Sequence, residues 1–93
     1  MRFPKTIKCL GVKYTISYHN FKSKTMWGET DYTKQTIRLD TGLKTRSVDD
    51  RRRTLLHEAM HVLNWEMDIG LKEEHIAKLE IGLYHLLKDN KIL

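Results

Sequence analysis

A chain of 93 residues with one cysteine, Cys9, can form one small domain but cannot form an intrachain disulfide, which fits a reducing compartment. Neither a signal peptide nor an apolar run long enough to cross a bilayer is apparent, so we expect a cytoplasmic protein without a membrane partner. The net charge of +5 originates in residues 1–24, which carry six bases and no acid, whereas residues 25–93 carry 11 bases and 12 acids. No aromatic-interleaved groove or DNA-binding motif accompanies this local excess, so the sequence does not favour a nucleic-acid partner.

Two β-hairpins are predicted in the first half of the chain. Apolar and polar residues alternate over residues 7–9 and 12–19, and Gly11 offers a turn between these two segments. The same alternation suggests a second hairpin that joins residues 26–32 to residues 36–40. Strict alternation is typical of strands that bury one face, so each hairpin should cover part of a core.

Two long helices are predicted in the second half, after a connecting loop over residues 41–46. Ser47 is a helix cap followed by acids in the first turn, and the helical pattern then continues to Met67. Gly70 is a natural helix stop, after which residues 71–90 repeat an apolar stripe at helical spacing. The short connection predicts that the second helix folds back against the first.

These elements predict an α+β fold in which a small antiparallel sheet of two hairpins packs against two long helices. We expect a single domain over residues 1–93, with a β-rich part at 1–46 and a two-helix part at 47–93.

The most informative motif lies in the first helix and reads His57-Glu58-Ala59-Met60-His61. Side chains four residues apart project from the same side of a helix, so both imidazoles can reach one metal ion. In His-Glu-x-x-His metalloproteases the glutamate is the general base that accepts a proton from the metal-activated water. The alternative is a surface helix with two solvated histidines. Both lie away from the centre of the apolar side, so they are not core residues. Their side of the helix nevertheless carries Trp65, whereas a solvated side would be charged.

A catalytic zinc ion usually takes three protein ligands, so a third one is needed. The candidates at the start of the second helix are Glu73, Glu74 and His75, with Glu80 two turns further on. Glu74 points almost opposite to the apolar stripe and is disfavoured, whereas helical periodicity does not choose among the other three. Acids in a first helical turn also complement the helix dipole, which is the structural alternative for Glu73 and Glu74.

The chain resembles the small zincin-type metallopeptidases of phages and prophages, which are similar to the minimal catalytic domain of the ImmA/IrrE family. The resemblance covers most of the chain from about residue 26, and only the His-Glu-x-x-His segment is a highly specific motif. It is carried by residues 54–61 (TLLHEAMH), by residues 28–32 (GETDY) with 35–40 (QTIRLD), and by Glu73 with residues 82–84 (GLY) and 87–90 (LKDN).

The resemblance implies a gluzincin-like zinc site within a minimal zincin-like fold. His57 and His61 would be metal ligands, Glu58 the general base, and an acid on the following helix, Glu73, the third ligand. The interval between His61 and Glu73 is shorter than in many gluzincins. His75 is therefore the alternative third ligand and would give a site like that of SprT-type proteins.

The implied function is hydrolysis of a peptide bond by a zinc-dependent metallopeptidase, with a peptide or protein, such as a regulator, as substrate. We expect the strand that contains Ile37, Arg38 and Leu39 to present a free edge and to bind the substrate by strand addition. Tyr32 and Arg38 are candidates for stabilising the transition state. The alternative function is a non-catalytic metal-binding protein with a regulatory or structural role, since 93 residues leave little room for a substrate cleft.

Overall fold

The computed structural model describes residues 3–93, which form four strands, a short 3₁₀ helix and two α-helices. In chain order these are β1 (Thr6–Cys9), β2 (Val12–His19), β3 (Gly28–Asp31), β4 (Thr36–Asp40), the 3₁₀ helix (Thr41–Thr45), α1 (Val48–Met67) and α2 (Glu73–Asp89). The predicted α+β class, with two hairpins and two long helices, is confirmed. The segment predicted as a loop after β4 is instead the 3₁₀ helix, which Asp40 caps by accepting a hydrogen bond from the Gly42 amide (2.8 Å).

The two hairpins join through a parallel pair of strands. β1 and β2 are antiparallel, as are β3 and β4, and the strand order is β1-β2-β4-β3. After β2 the chain skips one strand position, forms β3 at the outer edge and returns as β4 in the gap. For this reason β2 and β4 run in parallel, and the sheet is mixed at this one junction.

The prediction that Ile37, Arg38 and Leu39 form a free sheet edge for the substrate is wrong. These residues lie in β4, which is hydrogen-bonded to β2 on one side and to β3 on the other, so it has no free edge. Ile37 and Leu39 are fully buried in the core. Arg38 points to the opposite face of the sheet, where it forms an ion pair with Glu29 on β3.

The main core lies between the sheet and α1. Its fully buried side chains are Tyr14, Ile37, Leu39, Leu43 and Val62. Burial of each aliphatic member contributes about 1.5–3 kcal/mol. The Tyr14 hydroxyl donates a hydrogen bond to Glu66 Oε1 (2.9 Å) on α1. Burial, with this hydrogen bond as the second cause, raises the pKa of Tyr14 to about 12. The core therefore anchors α1 across the sheet.

The start of α1 and its end at Met67 both follow the prediction, whereas the residue that closes the helix is not the predicted Gly70. Ser47 Oγ accepts a hydrogen bond from the Asp50 amide (3.1 Å), which confirms the predicted cap. Asp68 caps the helix after Met67, and its left-handed backbone (φ 51°) closes the last turn before Gly70 is reached. Gly70 (φ +82°) instead belongs to the turn between the helices.

The connection between the helices is held by the side chain of Asn64. Its carbonyl accepts a hydrogen bond from the Leu71 amide (2.8 Å), and its amide donates one to the Leu71 carbonyl (3.1 Å). This two-point contact turns the chain, so that α2 begins at Glu73 beside α1. At the other end, Asp49 ties α1 to α2 through an ion pair with Lys88 (2.7 Å) and a hydrogen bond from Tyr84.

Within residues 3–93, neither helix has the length and apolar character needed to cross a membrane.

We expect Asn64→Ala to lower the free energy of unfolding by about 1–3 kcal/mol, since it leaves two backbone groups of Leu71 without their partner. Urea unfolding of the metal-free protein measures this loss. Asn90→Ala is the matched control, because the Asn90 amide donates to Leu86 at an exposed helix end. The control should change stability by less than about 0.5 kcal/mol. Equal losses in both variants would contradict the role assigned to Asn64.

Candidate metal centre

His57 and His61 lie one turn apart on α1 and face the same side of the helix. Their ring centroids are 5.1 Å apart, and their side chains are 20% and 23% exposed. They are therefore neither core residues nor freely solvated. Each ring is therefore partly accessible to a ligand.

Glu73, the first residue of α2, faces both histidines. Its Oε1 lies 2.7 Å from His57 Nε2, and its Oε2 lies 2.7 Å from His61 Nε2. One ligand atom from each of these three side chains lies within 4.8 Å of the other two. Zinc binds imidazole and carboxylate at about 2.0–2.2 Å, so tetrahedral ligand atoms are about 3.3 Å apart. The donor types fit such an ion, and the three ligand atoms are close enough together for one ion to reach all of them.

The other candidate ligands lie elsewhere. His75 is exposed, and its Nδ1 accepts a hydrogen bond from the Lys72 amide (3.2 Å) at the start of α2. Glu74 is exposed beside His75, at 4.0 Å from its Nε2. Glu80 lies closer to the histidines, with its Oε1 3.8 Å from His57 Nδ1. The nitrogen of His57 that faces Glu73 is the other one, Nε2. Among the four candidates, the structure brings Glu73 together with the two histidines.

Glu58 is buried between α1 and β3, with only 6% of the residue exposed. Thr30 Oγ1 donates a hydrogen bond to Glu58 Oε1 (2.9 Å). Burial raises the pKa of the Glu58 carboxyl, although the Thr30 hydrogen bond and the two neighbouring histidines act in the opposite direction. The carboxyl is thus held in one orientation, and its burial favours the protonated form.

Gly28 gives the Glu58 side chain its space. A Cβ added to Gly28 would lie 3.1 Å from Glu58 Cγ and 3.1 Å from Thr54 Cγ2, which is closer than ordinary van der Waals contact. Sequence reasoning did not predict this contact or the one from Thr30. The alternation of side chains in β3 could have indicated both contacts, because it places Gly28 and Thr30 on the same face of the sheet as the buried residues of β4.

The candidate metal centre opens into a cleft of about 630 Å³. One wall is β3 with the preceding residues 25–27, and the other wall is formed by α1 and the first turns of α2. β3 is the last strand of the sheet, so its outer edge pairs with no other strand among residues 3–93. A sheet edge with unpaired backbone groups therefore runs beside the two histidines.

The two candidates for transition-state stabilisation differ in position. Tyr32 lines the cleft and stacks on Trp65, with ring centroids 4.5 Å apart and planes inclined by 8°. Burial, together with the negative charges of Glu58 and Glu73, raises the pKa of Tyr32, so its hydroxyl stays protonated as a donor. Arg38 does not line the cleft, because it lies on the opposite face of the sheet with Glu29.

Comparison of the chain with protein-family models, curated proteins and solved structures gives no match in any of the three. A functional interpretation of this chain therefore depends on the chemistry and geometry of the cleft.

Gly28→Ala should destabilise the protein by about 1–3 kcal/mol, because the new methyl group overpacks the contact between β3 and Glu58. Gly82→Ala is the matched control, since a Cβ there meets no atom within 4 Å and lies inside α2. The control should gain about 0.5–1 kcal/mol from the higher helix propensity of alanine. Thermal unfolding of both variants measures whether the stability falls in the first and rises in the second. A neutral Gly28→Ala would show that Glu58 is not confined by β3.

Proposed function

We propose that this protein is a zinc-dependent metallopeptidase. The observation that carries the proposal is the convergence of His57, His61 and Glu73 from two helices, with their ligand atoms within 4.8 Å of one another. Glu58, the residue that follows the first histidine, is held beside this group. Two solvated histidines on a surface helix would not require an acid from a second helix at 2.7 Å from each ring.

His57, His61 and Glu73 would hold the ion. When bound, zinc lowers the pKa of a coordinated water and polarises a carbonyl group. Glu58 is the general base: it accepts the proton of the attacking water and returns it to the leaving amine. Thr30 occupies one oxygen of Glu58 and fixes the plane of the carboxylate, which keeps the base in its orientation during proton transfer.

The free edge of β3 is the proposed substrate site, in place of β4. An extended peptide can pair with the backbone groups of Gly28–Asp31 and so lie along the cleft. Because Gly28 and Thr30 contact Glu58, the same strand would position both the peptide and the base. Strand pairing uses backbone groups, so it aligns peptides of many sequences.

Tyr32 is the proposed donor for the negative charge that develops on the carbonyl oxygen. It follows β3 directly and lines the cleft together with Glu58 and Glu73. The stacking contact with Trp65 restricts rotation of the ring, so the hydroxyl is placed in advance of the reaction. A fixed donor of this kind stabilises a transition state better than a mobile one.

The proposed substrate is a peptide or a protein, such as a regulator, and the proposed compartment is the cytoplasm. The only cysteine, Cys9, is buried and unpaired, so the chain contains no disulfide that needs oxidising conditions.

Protein purified without added zinc should contain about one equivalent of the metal, measured by elemental analysis after desalting. We expect His57→Ala, His61→Ala and Glu73→Ala to weaken zinc binding by more than about 100-fold, beyond the loss typical of outer-shell partners. His75→Ala is the matched control and should retain full affinity, because His75 lies at the exposed cap of α2. Loss of zinc in the His75 variant, with retention in the Glu73 variant, would reassign the third ligand.

Glu58→Gln should keep the zinc content and lower peptide cleavage by about 100-fold or more, since removal of a general base has an effect of this size. Mass spectrometry of the products from a mixed peptide library measures cleavage across many substrate sequences at once. Glu74→Gln, an equivalent change at an exposed acid of α2, is the control and should leave cleavage unchanged. Cleavage that survives in Glu58→Gln would contradict the mechanism. Zinc binding without cleavage of any peptide or protein would instead favour a non-catalytic metal-binding protein.

A further inference from the structure

We propose that Trp65 is a specificity-determining residue, which binds an apolar or aromatic side chain of the peptide at one end of the cleft; this inference rests on the peptidase function proposed above. Trp65 lies on α1 one turn after His61, on the side of the helix that carries both histidines. It is 61% exposed, although Tyr32 stacks on its ring with the centroids 4.5 Å apart. The surface that Tyr32 leaves uncovered is therefore accessible to a substrate.

The order of contacts between β3 and α1 places Trp65 at one end of the cleft. Thr30 on β3 donates a hydrogen bond to Glu58, and Tyr32, two residues further along the chain, stacks on Trp65. The strand and the helix thus run side by side in the same direction. His61 lies between Glu58 and Trp65 in α1, so the indole follows the candidate metal group along the cleft.

The spacing of an extended peptide determines which substrate residue reaches Trp65. A peptide that pairs with the free edge of β3 advances by about 3.3 Å per residue, and its side chains alternate between the two faces of the sheet. With the scissile bond beside Glu58, a side chain two residues away, at about 7 Å, lies beside Tyr32 and Trp65. The adjacent substrate residues point to the opposite face, where Glu29 forms its ion pair with Arg38.

The chemistry of this end of the cleft favours an apolar or aromatic side chain. An indole has a large flat surface, and the contact with Tyr32 restricts its rotation, so little conformational freedom is lost when a substrate binds. A substrate ring that stacks on the indole, or an aliphatic side chain that packs against it, removes apolar surface of both partners from water. The preference should therefore concern one position within two residues of the cleaved bond, and not the positions adjacent to it.

The competing explanation is that Trp65 only holds Tyr32 in place, and two peptides separate these roles. The peptides have Phe or Gly at the preferred position and are otherwise identical. The wild type should have a kcat/KM about 10-fold higher for the Phe peptide, the size expected for one stacking contact. Trp65→Ala should lower this ratio to about 2-fold or less, because the stacking surface is lost. Displacement of Tyr32 alone would slow both peptides equally and leave the ratio unchanged, which would overturn the proposal.

Two further variants test whether the effect depends on the ring of Trp65. Trp65→Phe retains a flat aromatic ring and should restore a preference for the Phe peptide. Met67→Ala is the matched control, because Met67 is an apolar residue of α1 that is 54% exposed and projects from another side of the helix. Its ratio of kcat/KM values should equal that of the wild type. An equal fall of the ratio in Met67→Ala and Trp65→Ala would overturn the assignment to Trp65.

The second test uses the wild-type protein and does not depend on a variant that folds. Mass spectrometry of the products from a mixed peptide library should show Phe, Tyr, Trp, Leu, Ile or Met enriched at one position within two residues of the cut, and not at the positions adjacent to it. Cleavage without such enrichment would overturn this inference alone. A wild type that binds zinc but cleaves no peptide or protein would overturn the proposed function and this inference together.

Discussion

The return of α2 against α1 is the constraint on which the candidate site depends. The Asn64 side chain holds both backbone groups of Leu71, which fixes the turn two residues before Glu73. Without this turn, the two imidazoles of α1 would face solvent. A polar side chain performs this role well because an amide can satisfy a backbone donor and a backbone acceptor at the same time.

A second constraint acts between α1 and the sheet. Glu58 belongs to the same helix as the histidines but points toward β3, where it is buried. Burying a carboxylate is unfavourable unless it receives hydrogen bonds, and Thr30 provides one. The absence of a side chain at Gly28 provides the space. The candidate base and the candidate ligands are therefore oriented by different neighbours, and a change on β3 can affect the base without direct contact with the ligands.

The order of the strands decides where a substrate can bind. Residues 36–40 have the alternation of a strand, and this local pattern is the same for an edge strand as for an inner one. Pairing partners depend on the path of the chain between β2 and β3, which skips a strand position. The prediction that β4 is an edge failed for this reason. The outer strand, β3, is also the strand that contacts Glu58, so the free edge and the candidate base lie together.

Local chemistry alone accounts for much of this protein: the two hairpins and two helices, the Ser47 cap, and the placement of His57 and His61 on one side of α1. Each of these features depends on residues that are close together in the chain, so the amino-acid sequence is sufficient to predict them. Long-range contacts decide the rest. Helical periodicity treats Glu73 and Glu80 alike, yet packing of the helices places one against the Nε2 atoms and the other against Nδ1 of His57. The angle and offset between two helices come from side chains distant in the chain, which is why only the tertiary structure distinguishes the positions of these two acids.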